Sequence, residues 1–173
     1  MAGLTLITGG ARSGKSRHAQ QLAESRPGEL LYVATAGVGD NEMAARVELH
    51  RQARGSRWQT LEEPVDLLGS LPASASGKGA VLLDCVTLWL TNMLFAYGED
   101  RRRIMASVDQ FIDVLPALDA PLFAVTNEVG LGIVPENRLA RLFRDLAGET
   151  NQRLAATADQ VWIVVSGIPL RVK

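Results

Sequence analysis

The sequence predicts an α/β fold, a mostly parallel central sheet with helices on both faces, and three observations predict it. Short apolar runs recur along the chain: "LTLIT" (Leu4 to Thr8), "LLYVAT" (Leu30 to Thr35), "AVLLDC" (Ala80 to Cys85), "PLFAVT" (Pro121 to Thr126) and "QVWIVVSG" (Gln160 to Gly167). Stretches with apolar residues at helical spacing separate several of them. The runs are also apolar almost throughout, with no strict alternation, as strands covered on both sides are.

Each element follows in order. The first strand, Leu4 to Thr8, ends at Gly9-Gly10, and Ala19, Leu22 and Ala23 mark a helix from about Lys15 to Ser25. The second strand closes at Gly37 and Gly39, after which Asp40 or Asn41 can cap a helix through about Arg54. "RWQTLEEP" (Arg57 to Pro64) reads as a short or edge strand, and "PASASGKG" (Pro72 to Gly79) as a surface loop. The strand ending at Cys85 leads into a helix carrying Leu88, Leu90, Met93 and Leu94, then a second over about Arg101 to Leu118. After "PLFAVT", the glycine-containing loop "NEVGLGIVPENR" enters a long helix from about Glu136 to Ala158. "QVWIVVSG" is the fifth buried strand, and "PLRVK" adds a short edge strand. There is no internal repeat and no heptad register.

The length, 173 residues, suits one well-buried domain spanning 1–173. An apolar share of 47%, 21% charged residues and a net charge of −1 describe an ordinary globular protein. That balance argues against a nucleic-acid partner held by charge. No apolar run approaches the roughly 20 residues of a membrane helix, so no membrane insertion is expected. The single Cys85 excludes an internal disulfide and a cysteine zinc cage. The chain is read as cytoplasmic, since the glycine-rich loop arrives at once in place of a leader.

In open α/β sheets ligands sit beyond the carboxyl ends of the strands, which singles out Thr8-Gly9, Thr35-Ala36, Asp84-Cys85 and Asn127-Glu128. "GGARSGKS", comprising Gly9, Gly10, Ala11, Arg12, Ser13, Gly14, Lys15 and Ser16, matches G-x-x-x-x-G-K-[ST] between a predicted strand and helix. The pattern narrows the expectation to a P-loop NTPase fold. Glycines let backbone N–H groups turn inward around phosphate oxygens, and the helix N-terminus adds a favourable dipole. Lys15 would reach the outer phosphates, and the Ser16 hydroxyl would ligate Mg²⁺. Asp84 is the expected companion acid for the metal, or else caps the next helix.

Arg46, His50 and Arg54 lie four apart and share one face of their helix. His50 is either an ordinary structural histidine or a nucleophile. Three potentially cationic groups on one stripe favour a bound anion, and flanking arginines hold imidazole neutral, which is its nucleophilic form. His18 reads as surface or packing, and Cys85 as buried and inert. Glu128 is open to two roles, a general base or metal-shell acid, or a brace for the following loop. Arg138, Arg141 and Arg144 fit a solvated helix face, a substrate phosphate or a subunit contact.

"ITGGARSGKSRHAQ", "YVATA", "EMAARVELHR", "LLDCVTLWLTN" and "TNEVGLGIVPENRLARLFRDLAGETNQRLA" together closely resemble the bifunctional adenosylcobinamide kinase/adenosylcobinamide-phosphate guanylyltransferase family of cobalamin biosynthesis, from Leu4 to about Ile168. The resemblance implies two reactions. The γ-phosphate of ATP or GTP passes to the hydroxyl of adenosylcobinamide. GTP then guanylylates a histidine, and GMP moves to adenosylcobinamide phosphate, giving adenosylcobinamide-GDP. The guanylylated position falls on His50, and Leu49 stands where some members have a second histidine. Nucleotide contacts are implied for the phosphate loop, for Ala34, Thr35 and Ala36, for Arg51, Gln52, Ala53 and Arg54, and for Glu62 and Asp84. Catalysis falls on His50 and Lys15, and the metal on Ser16 and Asp84. Some relatives have Glu at the position of Asp84. The family is also associated with homotrimers.

Two other classes compete. A GTPase-type regulatory module shares the phosphate loop, but Asn-Lys-x-Asp is absent, and Asp84 is followed by Cys-Val-Thr and so opens no D-x-x-G switch. A plain small-molecule kinase would use His50 only to orient phosphate.

Overall fold

The fold is that of a computed structural model, which describes residues 3–36 and 55–173. The expected cap at Asp40 or Asn41 and the helix carrying Arg46, His50, Arg51, Gln52, Ala53 and Arg54 lie outside the described residues.

Seven strands form one sheet: β1 Leu4–Gly9, β2 Leu30–Ala34, β3 Trp58–Glu62, β4 Ala80–Asp84, β5 Leu122–Val125, β6 Gln160–Val165 and β7 Ile168–Arg171. Their order is β3-β2-β4-β5-β1-β6-β7. All pairings are parallel except β6 with β7. The five expected buried strands and both short ones are present. β6 and β7 join through Ser166 and Gly167, whose φ values of 51° and 83° suit the two-residue turn that matches strand twist.

The described helices are α1 Lys15–Glu24, α2 Leu67–Ala75, α3 Val86–Ala96, α4 Arg101–Val114 and α5 Arg138–Thr157. In α4, Asp100 caps the start by accepting from Arg103 N at 3.1 Å, and Ile104, Val108 and Phe111 face the core. The helix was expected to reach Leu118 but stops at Val114, with a 3₁₀ turn over Leu115–Ala117. Pro116 has no N–H for the Ile112 carbonyl, and Leu115 N bonds that carbonyl instead. Asn137 caps α5 by accepting from Ala140 N at 3.0 Å.

The expected loop from Pro72 to Gly79 requires correction, because Pro72 to Ala75 belong to α2. Leu67, Leu71 and Ala75, four apart, are fully buried, and Asp66 caps the helix by accepting from Gly69 N at 3.0 Å. Pro72 removes one backbone bond, a cost of about 3 kcal/mol in an exposed helix interior. Here the buried stripe offsets it, since each fully buried leucine contributes roughly 1.5–3 kcal/mol. The hydroxyls of Ser70 and Ser74 also donate to carbonyls one turn back, Asp66 O at 2.8 Å and Ser70 O at 2.9 Å.

Alternate residues of each strand enter opposite faces. Leu6, Val33, Leu83 and Ala124 join a core with α2 to α5, where Trp89 and Phe111 pack with ring centroids 5.1 Å apart. Ile7, Leu82, Phe123 and Val164 pack under α1 with Ala19 and Ala23. The sheet is therefore covered on both faces, as its apolar strands require. No helix among the described residues is long and apolar enough to cross a membrane.

Candidate active site

The sheet register gathers the strand ends. Ile7 pairs with Val125, Val125 with Asp84, Asp84 with Ala34, and Ala34 with Glu62. Past this row the chain leaves β1 into the phosphate loop, β2 into Thr35 and Ala36, β4 into Cys85, and β5 into Thr126 to Glu128. β5 stands between the strand that feeds the loop and the strand that ends in Asp84.

The loop is shaped by two glycines. A Cβ on Gly9 would meet Val164 O at 2.5 Å and Ser13 Oγ at 2.7 Å, so no larger residue fits there. Gly14 holds φ 94° as the N-cap of α1, a conformation costly for other residues. Among the described residues no side chain caps α1, and its first N–H groups face outward at the helix start, where an anion is favoured. Ser13 Oγ is buried with no hydrogen-bond partner among the described residues. The Ser13 carbonyl accepts from Gly167 N at 2.8 Å, tying the loop to the β6–β7 turn. Arg12 is exposed at φ 55°. These are the features of a cradle shaped for phosphate oxygens.

Lys15 is only 8% exposed, and its Nζ donates to Gly10 O at 3.0 Å. Burial lowers its pKa, while the nearby Cys85 and Asp84 oppose that shift. Asp84 therefore lies close enough for its charge to act on the loop lysine. The N-cap of α3 falls on Cys85 and no side chain caps that helix, so Asp84 is not its cap. One Asp84 oxygen accepts from Tyr32 OH at 3.3 Å. The half-buried Asp84 and Ser16 together offer a hydroxyl and a carboxylate. This all-oxygen donor set suits a hard cation such as Mg²⁺.

Thr35 is fully buried, and its Oγ1 both donates to Cys85 O and accepts from Cys85 N, each at 2.8 Å. Its carbonyl accepts from Asn92 Nδ2 at 2.7 Å. These bonds lock the ends of β2 and β4 together, with Ala34 and Ala36 on either side. Glu62 ends the edge strand β3, exposed and at the same end of the sheet.

Cys85 is 6% exposed, and burial first, then the Asp84 charge, pushes its thiol pKa up, which keeps it unreactive. His18 packs edge-on against Trp162 with centroids 5.0 Å apart, and burial lowers its pKa. It is a packing residue. The arginines of α5 are engaged within the chain. Arg138 pairs with Glu99, Arg141 donates to the carbonyls of Pro135 and Glu136, and Arg144 lies 3.8 Å from Asp145.

On the other flank of the loop, a cavity of about 430 Å³ is lined by Gly9 to Ser13, Glu128, Leu131 and Ile163 to Ser166. Tyr32, Asn151, Leu131 and the β6–β7 turn escaped the sequence reading. A signal existed for Asn151, a polar residue in the buried stripe of Ala147, Thr150 and Leu154.

A family model described as cobinamide kinase / cobinamide phosphate guanyltransferase matches residues 5–172. The chain belongs to this family. The bifunctional adenosylcobalamin biosynthesis protein CobU of Salmonella typhimurium is 48% identical, covering 98% of this chain and 99% of that one. The protein of the same name from Escherichia coli is 47% identical over the same shares. Among solved structures the RadB recombinase is similar, with a TM-score of 0.54 over 93% of this chain and 73% of that chain. Its 17% identity speaks to the fold alone.

Proposed function

We propose that this chain, as one domain over residues 1–173, carries out both reactions of its family with His50 as the covalent nucleophile. The observation that carries the proposal is the open cradle: among the described residues, an α1 N-terminus without a side-chain cap, a Ser13 hydroxyl without a partner and a buried Lys15 share one loop.

In the first reaction, the hydroxyl oxygen of adenosylcobinamide attacks the γ-phosphorus of ATP or GTP. The bond to the β–γ bridging oxygen breaks, that oxygen keeps the electron pair, and the hydroxyl proton leaves to a base. In the second, a neutral imidazole nitrogen of His50 attacks the α-phosphorus of GTP and pyrophosphate departs. The phosphate of adenosylcobinamide phosphate then displaces the histidine and carries GMP away as adenosylcobinamide-GDP. Splitting one displacement into two is what a covalent nucleophile achieves. Lys15 faces phosphate charge in both reactions, and Arg46 and Arg54 are further cations for it. Ser16 and Asp84 would hold Mg²⁺, which when bound neutralises phosphate charge. Gly9 to Ser16, Ala34 to Ala36, Arg51 to Arg54 and Glu62 complete the nucleotide contacts.

Incubation with GTP labelled at either the α- or the γ-phosphate tests this. Acid-labile, base-stable protein label from the α-position alone is expected. Phosphoryl transfer without protein label would favour a plain kinase, and hydrolysis without either would favour a regulatory GTPase.

We further place the chain in the cytoplasm, where its lone thiol would stay reduced, and assign it a homotrimer. Ile133 is 97% exposed and Leu131 86% exposed, and Ile168, Leu170 and Val172 are exposed on or beside edge strand β7. Subunit contacts would cover such surface. Sedimentation equilibrium is expected to give three times the chain mass, and the mass of one chain would refute the assembly.

A further inference from the structure

The phosphoryl-transfer reaction leaves one proton without an acceptor, and the structure offers a group for it. Among the described residues lining the cavity of about 430 Å³ beside the phosphate loop, Glu128 is the one acid. The volume lies in the usual range of ligand pockets, roughly 300–1,000 Å³. Leu131, Ile163, Val164 and Val165 make its other wall apolar. Asp84 is not among the described residues lining this cavity, and it is the expected companion acid for the metal.

Glu128 is held from several directions. Its backbone N–H donates to Gly9 O at 3.0 Å, and two residues earlier Thr126 N donates to Ile7 O at 2.9 Å. The chain end of β5 is thereby stitched to the start of the loop. Glu128 Oε1 accepts from Gly130 N at 2.8 Å, which leaves Oε2 without a hydrogen-bond partner among the described residues.

The intervening segment is clamped by a residue 24 positions away. Asn151 of α5 accepts from Thr126 Oγ1 at 2.7 Å and donates through Nδ2 to Asn127 O at 3.1 Å. Asn127 Nδ2 in turn donates to Thr87 Oγ1 at 2.7 Å. One amide thus uses both of its ends on two consecutive residues directly before Glu128. A neutral amide able to do both at once is what that geometry demands.

We propose that Glu128 accepts the proton of the adenosylcobinamide hydroxyl during phosphoryl transfer, and that Asn151 is a positioning residue that aims it. The inference rests on the kinase half of the function proposed above. As the hydroxyl oxygen bonds to the γ-phosphorus and the bridging bond breaks toward the departing nucleoside diphosphate, the proton moves to Glu128 Oε2. Glu128 later releases it to water. Among the described residues, Arg12 lines the same cavity, and Lys15 is bonded to Gly10 O in the adjoining loop.

The test is steady-state kinase kinetics of the full chain with ATP and adenosylcobinamide across pH. Glu128→Gln keeps an acceptor for Gly130 N but removes the base. Its kcat is expected to fall at least about 100-fold, with both KM values within threefold and the acidic limb of the kcat profile lost. Asn151→Asp still accepts from Thr126 but cannot donate to Asn127 O. It is expected to lower kcat about tenfold at unchanged KM and to displace the acidic limb, with Asn151→Ala as a second variant. A Glu128→Gln enzyme within threefold of wild type, or one that keeps its acidic limb, overturns the base. Asn151 variants that lower only the melting temperature overturn the positioning role. A wild-type chain that does not phosphorylate adenosylcobinamide sinks the underlying reading as well, so the two failures are told apart.

Discussion

Replacing Lys15 by alanine is expected to lower phosphoryl transfer and guanylyl transfer together, each by about 10²–10³-fold in kcat/KM. That is the loss usual when a preorganised partner of transition-state charge is removed. Lys15 is 8% exposed, and its Nζ sits 3.0 Å from Gly10 O at the heart of the loop. An amine held away from bulk water acts on a nearby phosphate through little dielectric screening. Steady-state rates for each half-reaction, with the melting temperature as a control for folding, decide the matter. If one activity survives in Lys15→Ala, the two chemistries do not share this cradle.

Replacing His50 by alanine is expected to reduce guanylyl transfer by about 10⁴-fold or more and to remove protein-bound label from α-labelled GTP, while phosphoryl transfer persists. Loss of a covalent nucleophile is among the most damaging single changes an enzyme can suffer. Alanine offers no lone pair for the α-phosphorus, whereas the kinase reaction as proposed forms no bond to the histidine. Equal loss of both activities in a folded variant would contradict this division of labour.

Most of the fold was legible in the sequence because its signals are local. Each buried strand is a contiguous apolar run, and Asp100 and Asn137 announce α4 and α5 one residue before they begin. The α2 helix was not legible, since Gly69 and Pro72 are poor helix formers, and only the burial of Leu67, Leu71 and Ala75 overrides them. The early stop of α4 could be read afterwards from Pro116. The phosphate loop was legible in full, its motif being one unbroken stretch. The roles of Tyr32 and Asn151 were not, because each acts on a partner far along the chain.

By itself, the sequence determined the glycine-rich loop from Gly9 to Ser16 between a strand and a helix, the α/β class and the family, since each is carried by contiguous residues or their periodicity. Only the tertiary structure decided that β5 lies between β1 and β4, and so that Glu128 borders the loop and Asn151 braces it. The physical reason is that parallel strands find their neighbours through long crossovers, and lateral order is settled by packing both faces of the sheet at once.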